Sequence, residues 1–190
     1  MSVTGIMIVG VGGQGTLLAS KVLGKLFLEE GYDVKVSEVH GMSQRGGSVV
    51  TYVRFGDRVY SPLITEGEAD YLLSFEKLEA ARWAACLKPG GRIVVNTQEI
   101  DPMPVITGAA EYPSDILREL TDKGVAVDAV DALSPALEAG SAKAVNTVLL
   151  GRLARHFPIP PEKWIEAIRQ TVAPRFADMN EKAFTLGYSL

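Results

Sequence analysis

The apolar positions of this chain come in short blocks whose spacing changes along the sequence. "GIMIVG", residues 5–10, is a continuous apolar run closed by glycine, which predicts a buried strand. In "GTLLASKVLGKLFLEEG", Leu17, Leu18, Val22, Leu26 and Phe27 recur near helical spacing, and Gly31 predicts the helix C-cap. "DVKVSEV" alternates and predicts a second strand. A loop follows, "EVHGMSQRGG" over 38–47, with His40, Arg45 and three glycines. "SVVTYVRFGDRVYSP" carries two β-rich runs around Gly56-Asp57, the pattern of an antiparallel hairpin. "ADYLLSF" predicts a buried strand, "EKLEAARWAACL" a helix, and "KPGGRIVVN" a turn and another strand. "VITGAAEYPSDILRELTDKG" predicts a short extended piece and then a helix capped by Ser114. "VAVDAVDA" is a further strand. From "AKAVNTVLLGRLARHF" onward the pattern is helical. Pro158, Pro160 and Pro161 break it before "EKWIEAIRQTV", and a last short helix occupies "MNEKAFTLGY".

Strands alternating with helices predict an α/β fold: a three-layer, Rossmann-like, mostly parallel sheet with helices on both faces and an added β-hairpin. No repeat, low-complexity stretch or linker interrupts the 190 residues, a length that suits one domain over 1–190.

Composition narrows the function classes. With 47% hydrophobic and 22% charged residues the chain is globular. A net charge of −4 with no Lys/Arg-rich block argues against a nucleic-acid partner. No apolar run approaches the ~20 residues a bilayer span needs, so no membrane partner is expected. "MSVTGIMIVGVGG" lacks a basic n-region and a cleavage site, so a cytoplasmic location is expected. The single cysteine, Cys86, excludes an internal disulfide and an iron–sulfur cluster held by this chain alone. His40 and His156 lie far apart and form no paired metal site.

Residues 10–15, "GVGGQG", place Gly10, Gly12 and Gly15 in a G-x-G-x-x-G pattern between a strand and a helix. Glycines there allow a sharp turn and close approach, and the free N–H groups at a helix start attract phosphate. Two readings stand side by side: a nucleotide or phosphate-bearing ligand, or a tight turn that holds nothing. Gln14 adds an amide that suits a polar contact to ligand or partner. Glu38 stands about 20 residues on, the place of a ribose-binding acid, which leaves a stand-alone NAD(P) oxidoreductase or ligand-binding module as an alternative.

"GVGGQG" together with "SEVHGMSQRGGSVVTYVRFGDRVYSPLI" resembles the gamma-type domain of the 2-oxoacid:ferredoxin oxidoreductases. "VHGMSQRGGSV" is the spelling of the indolepyruvate type, nearest its small (beta) subunit. "EGEADYLLSFEKLEA", "LKPGGRIVVNT", "VNTVLLGRLA" and "NEKAFTLGY" extend the resemblance nearly end to end. It implies an enzyme that oxidatively decarboxylates a 2-oxoacid to an acyl-CoA and CO2. Thiamine diphosphate, magnesium and iron–sulfur clusters are then expected on a large alpha subunit, with ferredoxin reached through the complex. This chain is expected to hold none of these cofactors alone and to be non-catalytic. A thiamine-binding Gly-Asp-Gly is missing; "GDR" at 56–58 sits in the expected hairpin turn. By the same resemblance, the amides of Gly12, Gly13, Gln14 and Gly15 and the side chain of Ser43 help accommodate coenzyme A. Arg45 pairs with a phosphate or carboxylate of a ligand, or with an acid at a subunit interface. Gly46 and Gly47 turn the backbone into the hairpin. Separated from its partner, the chain is expected to self-associate.

Plainer roles are expected elsewhere. His40 reads as a proton donor near the site or, more plainly, as a hydrogen-bonded loop residue, and Glu38 reads as structural, since the family is not known for nicotinamide binding. Cys86 reads as core, His156 as a helix-end cation, and Asn146 either as projecting toward the glycine loop or as bonding nearby backbone. Trp83 and Trp164 read as packing residues.

Overall fold

The computed structural model describes residues 3–38 and 46–190. β1 (Thr4–Val11) is buried from Gly5 onward, as a continuous apolar run requires. α1 (Thr16–Glu29) follows. It ends as its pattern predicts. Gly31 takes φ 86°, its N–H reaches the Leu28 carbonyl, and the Tyr32 N–H reaches back to the Phe27 carbonyl. The remaining elements are β2 (Asp33–Glu38), β3 (Ser48–Gly56), β4 (Ala69–Ser74), α2 (Lys77–Trp83) with a tight turn over Ala84–Cys86, β5 (Leu87–Asn96), α3 (Met103–Ile106), α4 (Ile116–Asp122), β6 (Ala126–Val130), α5 (Leu133–Ala139), α6 (Val145–Ala154), α7 (Pro161–Thr171) and α8 (Ala177–Ser189).

The six strands form one sheet in the order β2-β3-β1-β4-β5-β6. β1, β4, β5 and β6 pair in parallel, while β3 runs antiparallel to both β1 and β2. Alternation along the strands sends side chains to opposite faces. Ile6, Ile8, Leu73, Phe75 and Val94 enter one core with residues of α1 and α5 to α8. Met7, Val9, Leu72, Ile93 and Val95 enter the other, with Ala80 of α2 and Ile116 and Leu120 of α4. The expected three layers are therefore present. Trp164 is fully buried against Phe27, Phe157 and Phe184, the packing role its sequence context suggests. Burial of one such side chain contributes about 2–3 kcal/mol.

α6 and α8 meet backbone to backbone. A Cβ on Gly151 would stand 2.2 Å from the Phe184 carbonyl oxygen, and one on Gly187 2.0 Å from that of Val148. Glycine at both positions is what lets the two helices approach.

Three local expectations are corrected, and one helix is added to those read from the sequence. The antiparallel part of the sheet exists, but it is β3 with β1 and β2; no hairpin forms about Gly56-Asp57. β3 already pairs with β1 on one edge and β2 on the other, so no edge is left for a returning strand. The chain leaves the sheet instead, with the Val59 N–H held at 2.7 Å by the Asp33 carboxylate. Val105 and Ile106 belong to the single turn of α3 rather than to an extended piece. Ser114 does not cap α4: the N-cap is Asp115, and the Ser114 hydroxyl points to the Asp115 carboxylate at 3.4 Å. α5 is an additional helix, begun by Asp131, whose carboxylate accepts from the N–H groups of Leu133 and Ser134 at 2.9 and 3.3 Å.

Candidate functional site

The parallel strands all finish on one side of the sheet. After β1 the chain passes to one face through α1; after the neighbouring β4 it passes to the other through α2. Such a divergence opens a crevice at the strand ends, the place where α/β sheets hold ligands.

The glycine turn lies at that crevice, and each of its residues has a distinct job. Gly10 leaves room: a Cβ there would meet the Gln14 amide oxygen at 2.8 Å and the Phe75 Cβ at 2.9 Å. Gln14 uses that room. Its side-chain oxygen accepts from the Val11 N–H at 2.7 Å, and its nitrogen donates to the Phe75 carbonyl at 3.1 Å. Gly12 extends the β1–β3 ladder: its N–H meets the Gly47 carbonyl at 2.9 Å and its carbonyl accepts from the Gly46 N–H at 3.4 Å. The two glycine segments noted in the sequence are thus in direct contact. Gly13 and Gly15 hold φ 103° and 88°, a region favourable only to glycine. Gly15 is the N-cap of α1, and a Cβ on it would strike the Asn146 side-chain nitrogen at 2.6 Å.

Not every amide of the turn is available to a ligand. Gly12 donates to Gly47, and the Gln14 N–H bonds the Val11 carbonyl at 3.2 Å. The N–H groups of Gly15, Thr16 and Leu17 open α1, where the helix supplies no partner.

Gly13, Gln14 and Gly15 line a cavity of about 920 Å³. Leu18, Ile100, Leu133, Val145, Phe176 and Met179 give it apolar walls. Polar groups come from Gln98, Ser141, Asn146 and Asn180. Lys143 stands exposed in its lining, and among the described residues no carboxylate pairs with it. The cavity therefore offers one cation, a helix start and an extended apolar wall, a setting for an amphipathic anion.

Buried amides hold the wall in place. Asn146 bonds both the glycine turn and its own neighbour. Its nitrogen donates to the Gly15 carbonyl at 3.3 Å, and its oxygen accepts from the Thr147 N–H at 2.8 Å. The Thr147 hydroxyl donates to the Asn180 oxygen at 2.7 Å, and the Asn180 nitrogen donates to the Phe176 carbonyl at 2.9 Å. Across the strand ends, fully buried Asn96 donates to the Phe75 carbonyl at 3.2 Å and accepts from the Ala132 N–H at 3.1 Å.

Two buried acids stand beside the crevice. Glu76 caps α2, accepting from the Glu79 N–H at 2.9 Å, and its other oxygen receives the Tyr112 hydroxyl and the Ile100 N–H. Burial, reinforced by Glu76, pushes the Tyr112 hydroxyl far above its ordinary value. Glu79 accepts from the Ser48 hydroxyl and from the Arg82 side chain, so α2 grips β3 at its first residue, just after Gly46-Gly47.

Of the remaining candidates, His40, Ser43 and Arg45 lie outside the described residues. Glu38 accepts from the Ser20 hydroxyl at 3.2 Å, and β3 separates its strand from β1. Two strand spacings of about 5 Å each stand between that acid and the glycine turn. Cys86 is buried, and burial pushes its thiol up, as in a core position. The Trp83 indole N–H reaches the Ser48 hydroxyl at 3.3 Å. His156 lies just past α6, and its ring faces the Asp128 carboxylate at 2.9 Å rather than the helix end. Among the described residues no group of three or more His, Cys, Asp or Glu is placed to hold a metal, and no helix is long and apolar enough to cross a membrane.

Asn96, Thr147, Asn180, Glu76 and Lys143 were not singled out from the sequence. Asn96 carried a signal, as a polar residue ending the apolar run "RIVVN". Glu76 carried another, standing immediately before its helix.

The family model for pyruvate ferredoxin/flavodoxin oxidoreductase matches residues 5–190. The indolepyruvate oxidoreductase subunit IorB of Pyrococcus horikoshii is 48% identical over 190 residues, covering 96% of this chain and 93% of that protein. Among solved structures, the pyruvate oxidoreductase subunit PORC of Thermotoga maritima superimposes with a TM-score of 0.77 at 23% identity, over 100% of this chain and 97% of that one. The 2-oxoglutarate:ferredoxin oxidoreductase of Magnetococcus marinus, with 2-oxoglutarate, coenzyme A and succinyl-CoA bound, superimposes with a TM-score of 0.76 at 20% identity. That match covers 100% of this chain and 31% of the larger one. The two structural likenesses bear out the Rossmann-like fold.

Proposed function

The chain belongs to the pyruvate ferredoxin/flavodoxin oxidoreductase family, and from that premise we infer that it is the small subunit of a 2-oxoacid:ferredoxin oxidoreductase of the indolepyruvate type. One observation carries the reading: the 48% identity with an indolepyruvate oxidoreductase subunit over nearly both lengths. On this reading residues 1–190 act as one gamma-type domain. A large alpha subunit carries thiamine diphosphate, magnesium and the iron–sulfur clusters, passes electrons to ferredoxin and performs the decarboxylation. This chain makes no covalent step, and the complex works in the cytoplasm.

Its contribution is a wall of the site. The cavity beside the glycine turn fits part of coenzyme A, whose thiol accepts the acyl group. The N–H groups of Gly13 and Gly15 and the Lys143 ammonium suit its phosphates. Leu18, Val145 and Phe176 suit its apolar arm and exclude water from it. Gly10 and Gln14 set the turn, and Gly12 fastens it to Gly46 and Gly47. Ser43 and Arg45 belong to the same proposed site through the segment between β2 and β3. The alternative of a nicotinamide enzyme draws less support, because Glu38 is engaged by Ser20 beyond an intervening strand.

Reconstitution tests the reading. Adding this chain to the purified large subunit should raise CoA-dependent, ferredoxin-linked oxidation of aryl pyruvates. Full activity of the large subunit alone, unchanged by this chain, would overturn it. Arg45→Ala in the complex separates two roles. A raised Michaelis constant for coenzyme A assigns Arg45 to ligand, and weakened assembly assigns it to the interface.

A further inference from the structure

Between β5 and α4 the chain makes an excursion in which Tyr112 packs against the second core while the α3 turn stays outside both. Met103 and Ile106 are 64% and 65% exposed, and their spacing places both on one side of the α3 turn. This apolar knuckle is nonetheless well ordered by its own bonds. The Thr107 hydroxyl and N–H both bond the Met103 carbonyl at 2.9 Å, and the N–H groups of Ala109 and Ala110 converge on the Pro104 carbonyl at 2.8 and 3.0 Å. Its stem is gripped at both ends by one atom: Glu76 Oε1 receives the Ile100 N–H and the Tyr112 hydroxyl. A structure fixed at its base and tip, with its apolar side chains left in water, has already met the ordering cost of binding.

The charge on it has one sign. Residues 97–115 contain Glu99, Asp101, Glu111 and Asp115 and no lysine or arginine. Lys77 and Arg118 from outside pair with Glu99 and Asp115. Among the described residues Asp101 and Glu111 have no cationic partner. At the stem, Gln98 and Ile100 also line the cavity beside the glycine turn.

We propose that this knuckle is a docking element for the large subunit, which receives Met103 and Ile106 in an apolar pocket rimmed by lysine or arginine. The proposal rests on the reading of this chain as a subunit and locates one of its contacts. The apolar pair supplies the anchor, the unpaired acids supply orientation, and the polyanionic character rules against nucleic acid. A partner seated there borders the cavity, so assembly and enclosure of the ligand site become one event.

The test is a titration of the purified large subunit with four forms of this chain: wild type, Met103→Glu/Ile106→Glu, Asp101→Lys/Glu111→Lys, and Leu28→Glu/Val36→Glu. The last alters an exposed apolar pair between α1 and β2. All four should keep the wild-type circular dichroism, since these side chains are surface groups. The first double variant should raise the dissociation constant at least about tenfold. The charge reversal should raise it and remove its salt dependence, and the control should leave it unchanged. Equal binding by wild type and both knuckle variants overturns the proposal and leaves the subunit reading standing. No binding by wild type overturns both. Loss of self-association in the knuckle variants, with unchanged binding to the large subunit, also overturns it and makes the knuckle a contact between copies of this chain. Should the apolar double variant unfold, the charge reversal decides by the same criterion.

Discussion

Gln14 and Asn96 place their amide nitrogens on one oxygen, the Phe75 carbonyl, at 3.1 and 3.2 Å. Gln14 comes from the turn after β1, Asn96 from the end of β5, and Phe75 follows β4 between them. Through Asn96 the link continues to Ala132 beyond β6. One carbonyl therefore aligns loops from four parallel strands.

Gln14→Ala removes both bonds of the side chain and strips the Val11 N–H of its acceptor. The expected loss of stability is about 1–3 kcal/mol, read by denaturant unfolding. Unchanged stability with weakened coenzyme A binding would return Gln14 to the role of ligand group.

Gly13 and Gly15 share a positive φ but differ in surroundings. Gly13→Ala meets open space and should cost about 1–2 kcal/mol from the backbone alone. Gly15→Ala also drives a methyl into Asn146 and should cost about 2–4 kcal/mol. Thermal unfolding of the two variants should separate them in that order.

Gly151→Ala should be more damaging than either. The Phe184 carbonyl stands where the methyl would go, so α6 and α8 must part. A loss of more than about 3 kcal/mol is expected. Chemical denaturation measures it, and a neutral outcome would show that the helices do not meet as described.

Asp128 is held by Arg152 at 2.8 Å and His156 at 2.9 Å. Burial alone would raise its carboxyl, but the hydrogen bonds from Arg152 and then His156 outweigh it and hold it below 3.8. A depressed folded value stabilises the protein above the unfolded one, and the gain fades as pH falls through the folded one. Asp128→Asn should therefore be less stable than wild type at pH 7 by about 1–3 kcal/mol, given partly solvated partners. The gap should close in acid below that range. A gap independent of pH would exclude the carboxylate as its source.

Lys143→Glu reverses the exposed cation of the cavity. In the reconstituted complex it should raise the Michaelis constant for coenzyme A about tenfold or more, with subunit affinity unchanged. An unaltered constant would remove Lys143 from the ligand site.

What could be read from the sequence was what neighbouring residues decide. The apolar run of β1, the spacing of α1 and the cap at Gly31 are local, and the glycine turn was legible for the same reason. The supposed turn at Gly56-Asp57 failed because β2, just before it, and β1, distant in sequence, had filled both edges of β3. Pro135 sits in the first turn of α5, where its missing N–H costs nothing. Ser114 offered a cap hydroxyl, and the helix began one residue later. In the site, Gln14 looked like a ligand group because its acceptor, Phe75, lies 61 positions away. Asn146 reads either as bonding nearby backbone or as projecting toward the glycine loop, and it does both, taking the Thr147 N–H and reaching across 131 positions to Gly15. Residue type marked these polar positions, but only the fold could say which partners had claimed them.

The sheet order has a consequence for how the protein is made. β1 leaves the ribosome before both neighbours that cover its edges, β3 and β4. Its strip of Ile6, Met7, Ile8 and Val9 gains its first partner only with β3 and its second only when the chain has been translated past Ser74. This continuous apolar run thus waits for shelter from strands translated well after it. Slow synthesis between residues 11 and 74 lengthens its exposure to aggregation and to chaperones.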